Sequence, residues 1–146
     1  MASTVNAVNH SEPITKVLTS RVTTVQRSEP LSSVYRLLAD APFHHVPVVD
    51  NDQVVGMISS IDVLRLAYDV DGSDAKSMSA MLDYQFSIDD AMTAEVKTLD
   101  TSATVADAAE MLSSGNFHSV VVIDDQDRSL AGIVTTTDLI RYLRDL

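Results

Sequence analysis

The 146-residue sequence has no cysteine and no tryptophan. Without a thiol there is no disulfide framework, no Cys-ligated zinc site and no thiol nucleophile, and nothing depends on an oxidising compartment. Basic residues are scarce: ten Lys and Arg face twenty-one Asp and Glu, a formal net charge of −11 at pH 7. Such a field repels DNA, RNA and anionic lipid surfaces, so neither nucleic acid nor membrane is an expected partner. The four glycines form neither Gly-x-Gly-x-x-Gly nor Gly-x-x-x-x-Gly-Lys, which removes the dinucleotide fingerprint and the phosphate loop. Ser73-Asp-Ala-Lys76 imitates an acyl-transfer motif but has no companion motif. No apolar run reaches the ~18 residues that span a bilayer, and residues 1–13 lack the basic start and apolar stretch of a signal peptide. A cytoplasmic location is expected.

What is present is an ordinary globular composition, 45% hydrophobic and 21% charged, arranged as a repeat. Val22-Thr-Thr-Val25 matches Val96-Lys-Thr-Leu99, Pro30 to Val34 matches Thr104 to Ala108, and Phe43-His-His-Val-Pro-Val-Val-Asp50 matches Phe117-His-Ser-Val-Val-Val-Ile-Asp124, all offset by 74 residues. From Gly56-Met-Ile-Ser-Ser-Ile-Asp62 against Gly132-Ile-Val-Thr-Thr-Thr-Asp138 the offset becomes 76, so the second copy carries two extra residues in what a hairpin loop tolerates.

Each copy is predicted as strand, helix, strand, strand, helix, an α/β (α+β) arrangement. Short first strands fall at Val22 to Val25 and Val96 to Leu99. Leu31, Val34, Leu37 and Leu38 form one amphipathic stripe, with Pro30 in the first turn; Val105, Ala108, Met111 and Leu112 form the other, with Ser102 as the expected cap and Gly115 as the stop. Val46 to Val49 and Val120 to Ile123 are apolar runs too continuous to alternate, as expected of central strands buried on both faces. Residues 1–13 are expected to be a disordered tail, 14–68 the first repeat, 69–86 a partly helical linker and 87–146 the second repeat. In the linker, Met78, Met81, Leu82, Tyr84 and Phe86 are too apolar for a free segment and point to a packed connecting helix, or to a Met-rich partner groove.

Two tandem copies of Phe-His-x-Val-x-Val-hydrophobic-Asp followed by Gly-hydrophobic-hydrophobic-Ser/Thr-x-x-Asp and a helix resemble a pair of CBS domains, the module named after cystathionine β-synthase. The resemblance runs over residues 14–146. It implies two β-α-β-β-α repeats related by a pseudo-two-fold axis, with two clefts that in relatives hold adenine nucleotides or adenosyl ligands. It implies a stand-alone sensor, not an enzyme, working as a homodimer or on a regulated enzyme or transporter.

Ser59-x-x-Asp62 and Thr135-x-x-Asp138 stand where a strand turns into a helix. Unpartnered amides and the helix dipole make such a point an anion site, and an Asp one turn in can accept bonds from two ribose hydroxyls. The same spacing is also a capping box, which each helix would use whatever its ligand. Both readings stand at this level. Carried across residue by residue, the resemblance joins Thr135, Thr137, Asp138 and Ile133 to Leu18, Arg21, Thr23, Phe43 and His44 in one cleft. It joins Ser59, Asp62 and Met57 to Met92, Glu95, Lys97, Phe117 and His118 in the other. The denser hydroxyl set and Arg21, where the other cleft has Glu95, favour the first.

Some relatives carry Arg after the cleft His; this chain has His45 and Ser119 there, which favours a monophosphate such as AMP, or an uncharged adenosyl group, over ATP. His44, His45 and His118 do not make a metal site, because His44 and His45 point to opposite faces of a strand. The expected function is adenosine-ligand sensing. The other class of function open to such a chain is a dimerisation or docking module with vestigial clefts.

Overall fold

The computed structural model describes residues 11–42, 44–68, 70 and 75–146. The chain divides into two compact units, residues 22–96 and residues up to 21 together with 97–146. The first unit runs β1 (Val25–Gln26), α1 (Leu31–Asp40), β2 (His45–Asp50), β3 (Gln53–Ser59), α2 (Ser60–Tyr68), α3 (Ala75–Gln85) and α4 (Ile88–Ala91). In the second, a 3-10 turn at Ile14–Lys16 joins β4 (Thr98–Asp100), α5 (Val105–Leu112), β5 (Ser119–Ile123), β6 (Leu130–Thr135) and α6 (Thr136–Arg144).

Each unit has a three-stranded sheet, ordered β1-β2-β3 and β4-β5-β6, with the first pair parallel and the second antiparallel. The two Val-rich runs are the central strands, and Val46, Val48, Val120, Val121 and Val122 are fully buried, as their lack of alternation demands. Leu31 and Val34 of α1, with Val63 and Leu82, complete one core; Ile14, Val17, Val105, Ala108 and Val134 build the other.

The first strands lie later in the chain than their β-branched residues suggest. Val121 N–H donates to the Lys97 carbonyl at 3.0 Å, drawing β4 into the ladder from Thr98. Pro47 stands at the corresponding place in β2 and has no N–H to offer Thr23, so β1 begins only at Val25. Pro47 is tolerated on its other side because its partner Met57 spends its own N–H on Thr93. Asn51 and Asp52, at φ 50° and 64°, close β2 onto β3 in a two-residue turn, whereas the second hairpin takes its two extra residues between Asp124 and Ser129.

Ser102 does not cap α5. Thr104 does, its hydroxyl accepting from Asp107 N at 3.1 Å while the Asp107 carboxylate accepts from Thr104 N at 2.9 Å; Ser102 instead donates to Asp100. Pro30 precedes α1 without a side-chain cap, and Asp83 of α3 substitutes from a distance, accepting from Ser32 N at 2.8 Å and Ser32 Oγ at 2.6 Å. Along α3, Leu82 is fully buried while Met78 and Met81 pack on the core; Tyr84 points into solvent.

The units are not the sequence repeats. Residues 12–21 pack with the second repeat: Val105 N donates to the Glu12 carbonyl at 2.8 Å and Ile14 N to Ala103 at 2.9 Å. Glu12 and Pro13, placed in a disordered tail by the sequence, are therefore in register with Thr104 and its neighbours; residues 1–10 lie outside the described ones. Residues 88–96 pack correspondingly with the first repeat, with Thr93 and Met57 exchanging backbone bonds at 2.9 and 3.0 Å.

Candidate ligand-binding site

Both Ser/Thr-x-x-Asp motifs form complete capping boxes. At α6, Asp138 Oδ2 accepts from Thr135 N at 2.9 Å and Thr135 Oγ1 accepts from Asp138 N at 3.1 Å. At α2, Asp62 Oδ2 accepts from Ser59 N at 2.8 Å and Ser59 Oγ accepts from Asp62 N at 3.2 Å. The capping reading of the motifs is thus realised at both helices. One oxygen of each carboxylate, Oδ1, is left outside the box.

The helix starts are less open to an anion than the bare spacing implies. Thr136 N donates to the His118 carbonyl at 3.0 Å, and Ser60 N to the His44 carbonyl at 2.9 Å. With Asp138 N and Asp62 N spent in the boxes, the amide of Thr137 and that of Ile61 are the uncommitted ones in each first turn among the described residues. The Thr136 hydroxyl is buried without a partner, whereas Thr137 is exposed. One free amide and one hydroxyl can serve a single phosphate oxygen or a neutral polar group. They cannot cradle a polyphosphate.

Beside each helix start an edge segment lies across the preceding strand. Thr19 and Ile133 exchange backbone bonds, both at 3.0 Å, just as Thr93 and Met57 do. Close approach needs a glycine at both places: a Cβ on Gly132 would overlap the Thr19 carbonyl and the Leu18 side chain, and one on Gly56 would overlap the Met92 sulfur. Leu18 is thereby seated with Ile133, Thr135 and Asp138 in one unit, and Met92 with Met57, Ser59 and Asp62 in the other. Thr19, which the sequence did not single out, places its hydroxyl 3.5 Å from both Asp138 oxygens. Only the fold brings it there, from 119 residues away.

Of the remaining candidates, Arg21, Lys97 and His118 belong to the unit of Asp138, and Thr23 and His44 to that of Asp62. All five are exposed, and Phe117 is half-buried. His44 Nδ1 lies 3.5 Å from Ser60 Oγ. Phe43 lies outside the described residues.

A family model for the CBS domain matches residues 14–69 and 88–145. The chain belongs to the CBS domain family. Its two CBS repeats cover most of its length, and the mixed α/β fold with one three-stranded sheet per unit is that of CBS pairs. An uncharacterized protein of Methanocaldococcus jannaschii, MJ1404, is 27% identical over 144 residues, 91% of this chain and 32% of its own length. The chain spans about a third of the length of the curated relatives it matches. Among solved CBS pairs, CBSX2 of Arabidopsis thaliana in complex with AMP superposes with a TM-score of 0.76 at 24% identity, covering 92% of this chain and 98% of the other. The CBS domain pair of protein MJ0100, in complex with 5′-methylthioadenosine and S-adenosyl-L-methionine, gives 0.72 at 24% identity, covering 91% and 96%. No helix among the described residues is long and apolar enough to cross a membrane.

Proposed function

We propose that this CBS pair is a regulatory, non-catalytic module that binds an adenosine-containing ligand with little or no phosphate, AMP or an adenosyl compound, at the starts of α6 and α2. The observation that carries the reading is the duplicated construction of capped helix, a carboxylate oxygen outside the cap, single free amide and glycine-seated apolar edge; at Asp138 that oxygen has only the long 3.5 Å contact from the Thr19 hydroxyl. Ribose hydroxyls would go to the Oδ1 atoms of Asp138 and Asp62, and the base would lie against Ile133 and Met57. That a CBSX2 complex contains AMP and an MJ0100 complex contains two adenosyl compounds supports the ligand class. The uncommitted amide in each first turn supports the preference against ATP.

Thermal unfolding with AMP, 5′-methylthioadenosine, S-adenosylmethionine and ATP tests this. A ligand at 100 times its Kd stabilises by about 2.7 kcal/mol. AMP or an adenosyl compound should raise the midpoint more than ATP does at equal concentration. Equal or greater stabilisation by ATP would remove the phosphate-poor reading, and no response to any of the four would remove the ligand.

The second reading, an interaction module, draws on exposed apolar side chains: Ile61, Leu64 and Tyr68 on α2, and Ile140 and Leu143 on α6 with Leu146. The fitting occupant is a second copy, giving a homodimer through like apolar faces in which apolar burial outweighs the repulsion of two acidic chains. Either helix face would transmit ligand binding to a regulated enzyme or transporter. Light scattering that gave the mass of one 15.8 kDa chain would exclude the dimer.

A further inference from the structure

Met57 and Ile133 hold corresponding places in β3 and β6, and each is bonded to an edge residue, Thr93 or Thr19. The anchors upstream of those edge residues differ in kind. Before Thr19 the chain is pinned by main-chain bonds to Ala103 and Val105 and by the buried side chains of Ile14 and Val17. Before Thr93 stands the single turn of α4, whose inner side buries Ile88 and Ala91 and whose outer side is held by charge. Arg27 donates Nε to Asp89 Oδ1 at 2.9 Å and Nη2 to Asp89 Oδ2 at 3.0 Å, and its Nη1 lies 3.8 Å from Asp50 Oδ2. The turn that carries Arg27 is itself fixed, with Arg27 N donating to Val49 at 2.9 Å and Gln26 N to Glu29 Oε2 at 2.6 Å. At an offset of 74 residues Arg27 corresponds to Thr101, an uncharged residue whose hydroxyl goes to Asp125 at 3.2 Å.

We infer that Arg27 is a positioning residue for the Ser59–Asp62 site: its fork on Asp89 seats α4, and so sets where Met92 and Thr93 lie against Met57. The two sites then respond differently to salt. A bidentate guanidinium–carboxylate pair fixes orientation as well as distance. Arg27 and Asp89 keep 43% and 49% of their side-chain surface in solvent, where added ions screen the attraction. The bond lowers the Asp89 carboxyl from its ordinary value and raises Arg27, as a formed pair requires. The main-chain bonds that fasten residues 12–21 carry no net charge to screen, and the ion pair inside that segment, Lys16 to Glu12 at 3.9 Å, joins the segment to itself and not to the strand it lies on.

The inference rests on the ligand reading above for its functional meaning, but the anchor is testable without ligand. Amide hydrogen exchange read by mass spectrometry over residues 88–96 and 12–21 compares wild type, Arg27→Leu, Arg27→Lys and the exchanged pair Arg27→Asp with Asp89→Arg. For an exposed pair of ordinary strength, Arg27→Leu should speed exchange over 88–96 by roughly two- to fivefold, and wild type should move the same way at about 1 M salt. Residues 12–21 should not respond, Arg27→Lys should fall between, and the exchanged pair should recover in part, because a carboxylate at position 27 would face Asp50. Unchanged exchange over 88–96, or a parallel rise in both segments, overturns the inference. Titration with AMP then reads the consequence: Arg27→Leu should weaken binding by a similar factor when Asp138→Asn leaves the Asp62 site alone. It should have no effect when Asp62→Asn leaves the Asp138 site. If wild type takes up no AMP, the ligand reading falls and the exchange result still decides the anchor.

Discussion

Asp138 has two tasks that a substitution can separate. Its Oδ2 completes the cap of α6, so Asp138→Asn should cost about 0.3–1 kcal/mol of stability through the lost charge–dipole attraction. Its Oδ1 is the proposed ribose acceptor, and an amide there turns an acceptor into a donor facing a hydroxyl. Charge-assisted bonds of about 1.5–3 kcal/mol each make the expected loss of AMP affinity more than tenfold, measured by calorimetry. Asp62→Asn has the same capping geometry and serves as the comparison; a loss at neither site leaves only the cap. Gly132 is a sharper test of seating, because the nearest atom to a Cβ there is the backbone carbonyl of Thr19, with the Leu18 side chain just beyond, whereas at Gly56 it is the flexible Met92 thioether. Gly132→Ala should cost on the order of 1–3 kcal/mol, and Gly56→Ala less, because the Met92 thioether can swing away. Equal costs in chemical unfolding would mean that both edges yield alike.

Among the elements, α1 depends on a residue that its own sequence neighbourhood does not supply. Pro30 can neither cap nor donate, and Asp83 reaches Ser32, which is 3% exposed, from α3. Asp83→Ala should therefore destabilise by about 0.5–2 kcal/mol, the usual cost of a lost cap, although it lies far from α1 in the chain; a midpoint unchanged in urea would show that water replaces it. The repeat, the order of elements in each copy and the two buried central strands were legible because burial on both faces writes an unbroken β-branched run. Ser102 drew attention as a hydroxyl before a helix, yet Thr104 had the better signal, an Asp three residues on, as did Ser87 with Asp90 at α4. The starts of β1 and β4 were not legible from propensity, since they depend on whether the residue across the ladder has an N–H. At the site, the strand-to-helix motifs were readable from spacing, but the loss of the Thr136 amide to the His118 carbonyl, and of its counterpart Ser60 to His44, was not. Thr19 and the Arg27–Asp89 fork were not readable either, because all of these depend on long-range placement.

For the molecule as a whole, acid is the expected weakness. Hydrogen bonds from Arg27, Ser102 and Ser129 hold the carboxyls of Asp89, Asp100 and Asp127 below their ordinary value of 3.8. A carboxyl with a lowered folded-state value contributes stability above its unfolded value, and loses it as pH falls through the folded one. The unfolding midpoint should thus be insensitive to these three groups near neutrality and should begin to fall as pH drops through about 4. Asp89→Asn should flatten part of that fall. An identical acid limb for variant and wild type would count against the Arg27 pair as a formed contact.

The mismatch between repeats and units bears on ancestry and on dissection. The unit of duplication, about residues 14–69 or 88–145, is not the unit that buries a core, because each repeat begins with an arm that completes the other repeat's sheet edge. A lone repeat would keep an arm with nowhere to lie and a strand edge with nothing on it. Two such chains could satisfy each other by trading arms, so a single-repeat ancestor of this architecture would have been a domain-swapped pair before fusion made the trade internal. A fragment of residues 22–96 carries its own arm and edge and should fold; one cut at the repeat boundary, residues 14–69, should not fold without a second copy.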